Sequence, residues 1–259
     1  MKTWVYDVYQ WILGVKGRTW KISYFLSFWI TVSKFLVTTG GNSDGYQTTS
    51  EIVDLTVKGG NMCNNWPDFP IDVGHGATGG LIGDTVIICG GYDGLCYSLT
   101  SEKATIVTHM SAGRFGAASI VFNDNTLWVT GGNNGNAVYL ASTEYVKMTG
   151  TMIGPDLPMA LYRHAMVAIN STFSMVIGGR YSNGYSAATF FYDRIEEEWI
   201  NGPSLMQERY FHAAGIVTDE VTDEHFVAVT GGHDWYVGNT FDSTEILQDG
   251  EWVQGKISM

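Results

Sequence analysis

The side chains best suited to catalysis or metal binding are the six histidines, which are scattered along the chain at positions 75, 109, 164, 212, 225 and 233. Metal sites usually draw their ligands from closely spaced Cys and His motifs. The sequence contains neither a C-x-x-C pair nor an H-E-x-x-H motif, and it lacks a G-x-x-x-x-G-K-[ST] phosphate loop. The sequence therefore predicts no catalytic residue, no metal site and no cofactor.

Two of the histidines recur together with arginines. His164 lies in Y-R-H-A-M-V-A and His212 in R-Y-F-H-A-A-G-I-V, and Arg163 and Arg209 belong to the same two stretches. A third stretch, R-F-G-A-A-S-I-V-F, begins at Arg114. Because these residues precede similar runs of small and apolar residues, we expect them to be structural parts of repeated strand starts.

The three cysteines, Cys63, Cys89 and Cys96, are too few to cross-link a chain of 259 residues, and their odd number leaves at least one thiol unpaired or paired elsewhere. Cys89 and Cys96 are seven residues apart. This spacing suits either a cross-strand pair in a hairpin or two separate thiols, and it leaves the redox compartment open.

Composition narrows the possible partners. The formal net charge is −12, whereas nucleic acids and anionic membranes are bound by clustered Lys and Arg. Neither partner is therefore expected. No stretch reaches the roughly 20 apolar residues of a membrane span. The 32 glycines and many aromatic residues favour short strands joined by turns, within one domain.

The strongest pattern is a repeat with intervals of 41 to 53 residues. Five short apolar runs each end in a pair of glycines, and such a period indicates repeated structural units. The five pairs are Gly40-Gly41, Gly90-Gly91, Gly131-Gly132, Gly178-Gly179 and Gly231-Gly232.

A hydroxyl-bearing residue followed by an acid recurs 10 to 13 residues after the second glycine in four of the five units. The fourth unit reads Ala188-Thr189 at this place. We expect the acid to cap backbone or to pair with the arginine at a strand start. The four pairs are Ser50-Glu51, Ser101-Glu102, Thr143-Glu144 and Thr244-Glu245.

Together these features resemble the kelch repeat, in which four strands form one blade of a β-propeller. The resemblance covers roughly residues 35–255, and Trp66, Trp199 and Trp252 match the tryptophan of the fourth strand in units one, four and five. Thr108 and Met152 stand near that place in units two and three. The resemblance implies an all-β propeller of four-stranded antiparallel blades with five recognisable repeats, either five-bladed or an incomplete six-bladed ring.

The resemblance implies a non-catalytic scaffold for protein–protein interaction. The alternative is a galactose-oxidase-like enzyme or a carbohydrate-binding propeller. The oxidase needs a copper ion held by Tyr and His from different blades and a Tyr cross-linked to a Cys. Cys89 and Cys96 lie within a single unit and do not suit that arrangement, so the enzyme is the less favoured function.

Residues 1–35 do not fit the five units and are treated as a degenerate N-terminal segment before the propeller at 36–259. Three interpretations remain open. The first strands of this segment complete a preceding blade, with Y-F-L-S-F-W-I-T-V as the first strand of unit one; the segment is a signal or anchor; or it is an artefact of the predicted gene.

The loops after the glycine pairs should emerge from one end of the ring. They are rich in Asn, Gly and Tyr, a mixture typical of recognition loops on a rigid frame. We therefore expect the binding face there, with a protein partner of unknown identity and with Tyr46, Tyr92, Tyr139, Tyr185, Trp235 and Tyr236 as candidate anchors.

Asn170-Ser171-Thr172 matches the N-glycosylation sequon and should fall in the turn between the first two strands of unit four. The segment C-N-N-W-P-D-F-P and the nearby cysteines resemble cysteine-bearing kelch proteins of invertebrates. An extracellular location is therefore favoured over a cytoplasmic one, although the sequence leaves the compartment undecided.

Overall fold

The structure is a computed structural model. It describes the backbone of residues 25–31, 34–39, 50–54 and 61–63, and of residues 76–100, 102–136, 138–219, 221–234 and 239–255. Side chains are described from residue 76 onwards, except at 234 and 239. Tyr46, Trp66, Trp235 and Tyr236, the pair Gly40-Gly41 and most of residues 1–35 lie outside the described part.

The described strands form five sheets of four or five strands, which we call blades one to five, and one separate two-stranded sheet. Blade one contains β1 (Phe25–Thr31), β2 (Lys34–Thr39), β3 (Ser50–Asp54) and β4 (Asn61–Cys63). Blade two contains β5 (Thr78–Ile82), β6 (Thr85–Cys89), β7 (Leu95–Leu99) and β8 (Ala104–His109). Blade three contains β9 (Ala118–Phe122), β10 (Thr126–Thr130), β11 (Thr143–Lys147) and β12 (Gly150–Gly154).

Blades four and five have the same plan with short additions. Blade four contains β13 (Ala165–Ala168), β14 (Phe173–Ile177), a small hairpin of β15 (Arg180–Tyr181) and β16 (Gly184–Tyr185), β17 (Thr189–Asp193) and β18 (Glu198–Asn201). Blade five contains β19 (Tyr210–Thr218), β20 (His225–Asp234), β21 (Asn239–Thr240), β22 (Thr244–Gln248) and β23 (Glu251–Gly255).

The blades follow one another as in a β-propeller. Each is an antiparallel sheet with its four principal strands in chain order, and the first strands contact one another in the series β1, β5, β9, β13 and β19. The prediction of an all-β, propeller-like fold of four-stranded blades is confirmed. Strand β1 begins before residue 36 and pairs with β2, so blade one includes part of the N-terminal segment.

The core lies between consecutive blades rather than inside any one of them. Val129 of blade three packs with Ile87 of blade two, and Trp128 on the other face of the same strand packs with Met166 of blade four. A third cluster joins blades four and five around Trp252. The second strands are covered on both faces, which is why T-L-W-V-T of β10 is fully buried.

Two of the tryptophans predicted in fourth strands belong to the core between the blades. Trp199 lies in β18 with its ring centroid 5.7 Å from that of Trp128, and Trp252 lies buried in β23. Thr108 and Met152 lie in β8 and β12, the fourth strands of blades two and three. In these strands Thr108 pairs with Cys96 and Met152 pairs with Tyr145.

Candidate interaction face

The loops after the glycine pairs and the segments before the first strands lie side by side at one end of the blades. Phe115 and Asn133 exchange two backbone hydrogen bonds of 2.8 Å. Tyr162 and Arg180 are joined by bonds of 2.9 and 2.8 Å in the same way. The strand starts and the predicted binding loops therefore form one face, which we call the loop face.

The four residues at the centre of this arrangement share a left-handed backbone conformation. In each blade, the residue just before the glycine pair is paired with a residue of the first strand. The left-handed residue lies two positions before that first-strand residue. They are Gly76, Gly116, Arg163 and Phe211, with φ angles of 94°, 63°, 52° and 59°. Such angles cost glycine little, but they are unfavourable for large side chains.

A line of backbone hydrogen bonds between blades explains the shared conformation. Gly116 N–H donates to the Gly76 carbonyl at 2.7 Å, and Arg163 N–H donates to the Gly116 carbonyl at 2.7 Å. Phe211 N–H donates to the Arg163 carbonyl at 3.2 Å. We call these four residues the central arc, since they join blades two to five one after another.

Gly116 has a further reason to be glycine. A Cβ atom there would lie 2.5 Å from the Tyr162 ring and 2.9 Å from Cγ of Arg163, both of which pack over this position. The absence of a side chain in blade three thus makes room for the side chains of blade four.

Arg163 is held among aromatic rings of three blades. Its guanidinium carbon lies 3.2 Å from the ring centroid of Phe211, 4.8 Å from that of Tyr162 and 5.1 Å from that of Phe115. Cations over aromatic faces are attracted by the ring quadrupole, by about 0.5–2 kcal/mol each. The half-buried Arg163 is therefore fixed in place and still reaches solvent.

Stacked aromatic rings continue outwards from Arg163. The ring of Tyr92 stacks on Phe115 with centroids 5.9 Å apart, and Phe115 stacks on Tyr162 at 5.5 Å. Tyr139 stacks on Tyr162 at 5.5 Å with the two planes only 3° apart. This row spans blades two to four, and Tyr92 and Tyr139 are its solvent-accessible members.

A second group of rings lies on the side of blade five. Tyr185 stacks on Tyr210 with centroids 4.7 Å apart, and His233 lies 5.8 Å from Tyr210. Arg180 stands between the two groups, with its guanidinium carbon 5.9 Å from the Tyr139 centroid and 5.8 Å from that of Tyr185. The loop face therefore carries two half-buried arginines in an aromatic setting.

The predicted anchors differ in their exposure. Tyr92 is 54% exposed and Tyr139 is half-buried, so both can contact a partner. Tyr185 is only 4% exposed because its hairpin packs it against Tyr210, and its prediction as a surface anchor is wrong. Tyr46, Trp235 and Tyr236 lie outside the described residues and stay predictions.

Arg114 and Glu144 form a buried ion pair within blade three. The guanidinium donates to Oε1 of Glu144 from Nε at 3.2 Å and from Nη2 at 3.0 Å, and it donates to the carbonyl oxygens of Gly131 and Ser142. Glu144 also accepts from the backbone N–H of Ser111 at 2.8 Å. The acid thus both caps backbone and pairs with the arginine.

Blade five repeats this arrangement. Arg209 donates through Nε to Oε1 of Glu245 at 2.8 Å, and it donates to the carbonyl oxygens of Gly231 and Ser243. The backbone N–H of Met206 donates to the other oxygen of Glu245 at 2.6 Å. In both blades the ion pair fixes the connection from the preceding blade to the first strand.

The alignment of Glu102 with these acids is wrong. In blade two, Ile88 pairs with Tyr97, which is the pairing that Val129 and Glu144 make in blade three. Glu102 instead lies exposed in the turn between β7 and β8, where its backbone N–H donates to Thr100. Glu51 lies in β3 opposite Val37, and only its backbone is described.

In blade two, the residue pair that follows Ile88 and Tyr97 in the pairing of β6 with β7 is a disulfide. Cys89 and Cys96 pair across β6 and β7 and are bonded, with their Cα atoms 4.1 Å apart. Blades three and five place Thr130–Thr143 and Thr230–Thr244 at the same site. The cross-strand alternative for these two cysteines is therefore confirmed.

His164 and His212 belong to the packing between blades. Nε2 of His164 is 2.8 Å from Oγ1 of Thr130 in blade three, and Nε2 of His212 is 3.1 Å from the carbonyl oxygen of Ile177 in blade four. Burial lowers the pKa of His164 to about 3, assisted by His212. Burial and the charge of Arg209 lower the pKa of His212 to about 4.

Among the described residues no group of three or more His, Cys, Asp or Glu is placed to hold a metal ion. The same residues form no helix that is long and apolar enough to cross a membrane.

The letters G-N-S-D-G at residues 41–45 match the G-x-S-x-G pattern of serine hydrolases. That chemistry requires a sharp turn from a strand into a helix. Here the flanking strands β2 and β3 are antiparallel neighbours in one blade. This pairing does not match that requirement, and residues 41–45 themselves lie outside the described part of the chain.

Sequence reasoning missed the ring-bearing residues of the strand starts, Phe115, Tyr162, Tyr210 and Phe211, together with Arg180. A signal was present in the sequence. In β9, β13 and β19, one residue pairs with the last residue before the glycine pair, and an aromatic residue recurs three positions before it. Its proximity to the glycine-pair loops becomes visible only through the backbone pairing of Phe115 with Asn133.

Comparison with known proteins supports the fold. No protein-family model and no curated protein matches the chain. The solved structure of YjhT is similar with a TM-score of 0.73 at 13% sequence identity, over 92% of this chain and 85% of that chain. At this level of identity the similarity shows a β-propeller-like fold and nothing about activity.

Proposed function

We propose that this chain is a non-catalytic propeller of the kelch type that binds a protein partner through its loop face. The observation that carries the proposal is the row of stacked rings from Tyr92 to Tyr139, which spans three blades around Arg163. The kelch assignment rests on the recurring glycine pairs and on the buried arginine–glutamate pairs of blades three and five.

The composition of the loop face suits protein recognition. Binding energy at protein interfaces concentrates in a few Tyr, Trp and Arg residues that become desolvated on contact. Tyr92 and Tyr139 offer ring area, and each is held by a neighbouring ring before any partner arrives. Little side-chain entropy remains to be lost on binding, which favours affinity.

The surroundings of the polar residues support a non-catalytic role. The carboxylates of Glu144 and Glu245 are occupied by buried arginines and backbone N–H groups. His164 and His212 are buried between blades with lowered pKa values, so they stay neutral at physiological pH and face other blades rather than a cleft.

The test compares affinity capture by the wild-type chain with capture by Tyr92→Ala/Tyr139→Ala. Ile195→Ala is the matched control, because Ile195 is 73% exposed and lies in the β17–β18 turn at the opposite end of blade four. We expect the double variant to lose at least about tenfold in retention of a protein that the wild type and the control retain equally. Melting temperatures of all three should agree.

Equal retention by both variants would contradict the placement of the binding face. Retention of glycans on an array, lost in the Tyr92→Ala/Tyr139→Ala variant, would assign a carbohydrate ligand to the same face in place of a protein.

A further inference from the structure

Asn170, the asparagine of the only N-x-[ST] sequon in the sequence, lies in the turn between β13 and β14. The residue is exposed. Its Oδ1 accepts hydrogen bonds of 2.8 Å from the backbone N–H groups of Thr172 and Phe173. These bonds hold the side chain through its oxygen, so the Nδ2 amino group can carry a substituent without breaking them.

The turn lies at the end of blade four opposite to the loop face. In an antiparallel blade, the turn between the first and second strands and the loop after the glycine pair are at opposite ends of the second strand, β14. A large substituent on Asn170 would therefore leave Tyr92, Tyr139 and Arg163 uncovered.

An apolar groove adjoins Asn170. It has a volume of about 350 Å³ and is lined by Ile169, Asn170, Phe173, Phe191 and Ile200. Ile200 is 42% exposed although it faces two aromatic residues in this groove. The C–H faces of a sugar ring can pack on aromatic side chains such as these.

The disulfide gives independent information about the compartment. Cys89 and Cys96 are both fully buried, so their bond belongs to the core between blades two and three. Buried disulfides form and persist in oxidising compartments such as the endoplasmic reticulum, which is also where asparagine sequons are glycosylated.

We propose that Asn170 carries an N-linked glycan whose first sugar packs over the groove formed by Phe173, Phe191 and Ile200. In the transfer reaction, Nδ2 of Asn170 attacks the anomeric carbon of a lipid-pyrophosphate-linked oligosaccharide. An N–C bond forms, the C–O bond to the pyrophosphate breaks, and the lipid pyrophosphate leaves as Nδ2 releases one proton. No oxidant or reductant takes part.

The experiment uses the full chain secreted from a eukaryotic cell line. Asn170→Gln and Thr172→Ala both destroy the sequon, and Thr172→Ala keeps the Asn170 turn. Ser171→Ala is the matched control, since any residue except proline is accepted there. We expect a glycosidase-sensitive mass on the wild type and on the control, with none on the other two variants. Secreted, disulfide-bonded wild type without a glycan would overturn the proposal.

The contact with the groove has its own measurement. Trimming the glycan to its first sugar should leave the melting temperature unchanged, whereas its full removal should lower it by roughly 2 °C, as expected for a contact of modest strength in a chain of this size. In Ile200→Ser this difference should disappear. The same melting temperature with and without the first sugar in the wild type would show that the sugar does not pack on the groove.

Discussion

Replacement of Glu144 by alanine should be among the most damaging single substitutions in the described part of the chain. Glu144 and Arg114 have side-chain exposures of 2% and 0%, so the substitution leaves a guanidinium buried without its counter-charge. Breaking a buried ion pair by removing one partner costs about 3–5 kcal/mol. The backbone N–H of Ser111 loses its acceptor as well.

Glu102→Ala is the control that makes this prediction specific. At sequence level Glu102 and Glu144 occupy corresponding places after a glycine pair, but Glu102 lies exposed in a turn. Surface substitutions away from special features usually change stability by less than about 0.5 kcal/mol. The two glutamate variants should therefore differ by about 3 kcal/mol or more.

Urea unfolding followed by tryptophan fluorescence measures the difference as a shift in midpoint at constant slope. The melting temperature of Glu144→Ala should fall by about 10 °C, while that of Glu102→Ala should stay within about 2 °C of the wild type. Nearly equal midpoints for the two variants would refute the assignment of the buried clamp. The double variant Arg114→Met/Glu144→Leu should recover part of the loss, since no unpaired charge remains.

Two further predictions follow from the histidines and from the central arc. The folded-state pKa values of His164 and His212 lie below the unfolded value of 6.5, so the unfolded chain binds more protons than the folded chain at mildly acid pH. The free energy of unfolding therefore falls as the pH drops below 6.5. At pH 5 each histidine should lower it by about 2 kcal/mol. The urea midpoint of the wild type should fall between pH 8 and pH 5, and that of His164→Gln should fall by less. An equal decrease of the midpoint in both proteins would contradict the role of His164. Arg163→Gly should change the free energy of unfolding by no more than about 1 kcal/mol, because the relief of a left-handed backbone offsets the lost ring contacts, yet it should weaken partner binding by about tenfold. Titration of the captured partner against the wild type and Arg163→Gly measures the two affinities. Equal affinities would mean that Arg163 contributes to the central arc and not to partner binding.

The fold could be predicted from the sequence because its strongest signals are local and periodic. The second glycine of a pair has a positive φ, 98° at Gly132 and 102° at Gly179, which favours glycine. In this conformation its N–H donates to the next blade, to Leu161 and to Arg209. Each blade therefore needs the same residues at the same place. Glu102 shows the limit of this reasoning, since the spacing after a glycine pair varies with loop length. In blade two the loop between β6 and β7 is short, so Tyr97 takes the place that Glu144 has in blade three.

The loop face was only partly predictable, for a geometric reason. Candidate anchors were selected by their position in loops, yet Tyr185 is buried by a hairpin that sequence reasoning did not predict. The rings that support Tyr92 and Tyr139 come from strand starts about 20 residues away in sequence. Tyr92 and Phe115 adjoin the bridge between Gly91 and Arg114, and Tyr139 and Tyr162 adjoin the hydrogen bond from Leu161 N–H to the Leu140 carbonyl. No local sequence pattern expresses these pairings.

The central arc connects the architecture of the blades with their proposed use. Its hydrogen bonds require a left-handed residue in each blade, and glycine meets this requirement at the least cost, as it does at 76 and 116. Arg163 and Phe211 meet it at a cost of about 1–3 kcal/mol each, so their side chains must contribute something that glycine cannot. Phe211 supplies the ring 3.2 Å from the guanidinium of Arg163, and Arg163 brings a fixed positive charge to the middle of the aromatic row. In a chain of net charge −12, we propose that recognition of a partner by this half-buried cation, rather than a gain in folding stability, accounts for the backbone cost.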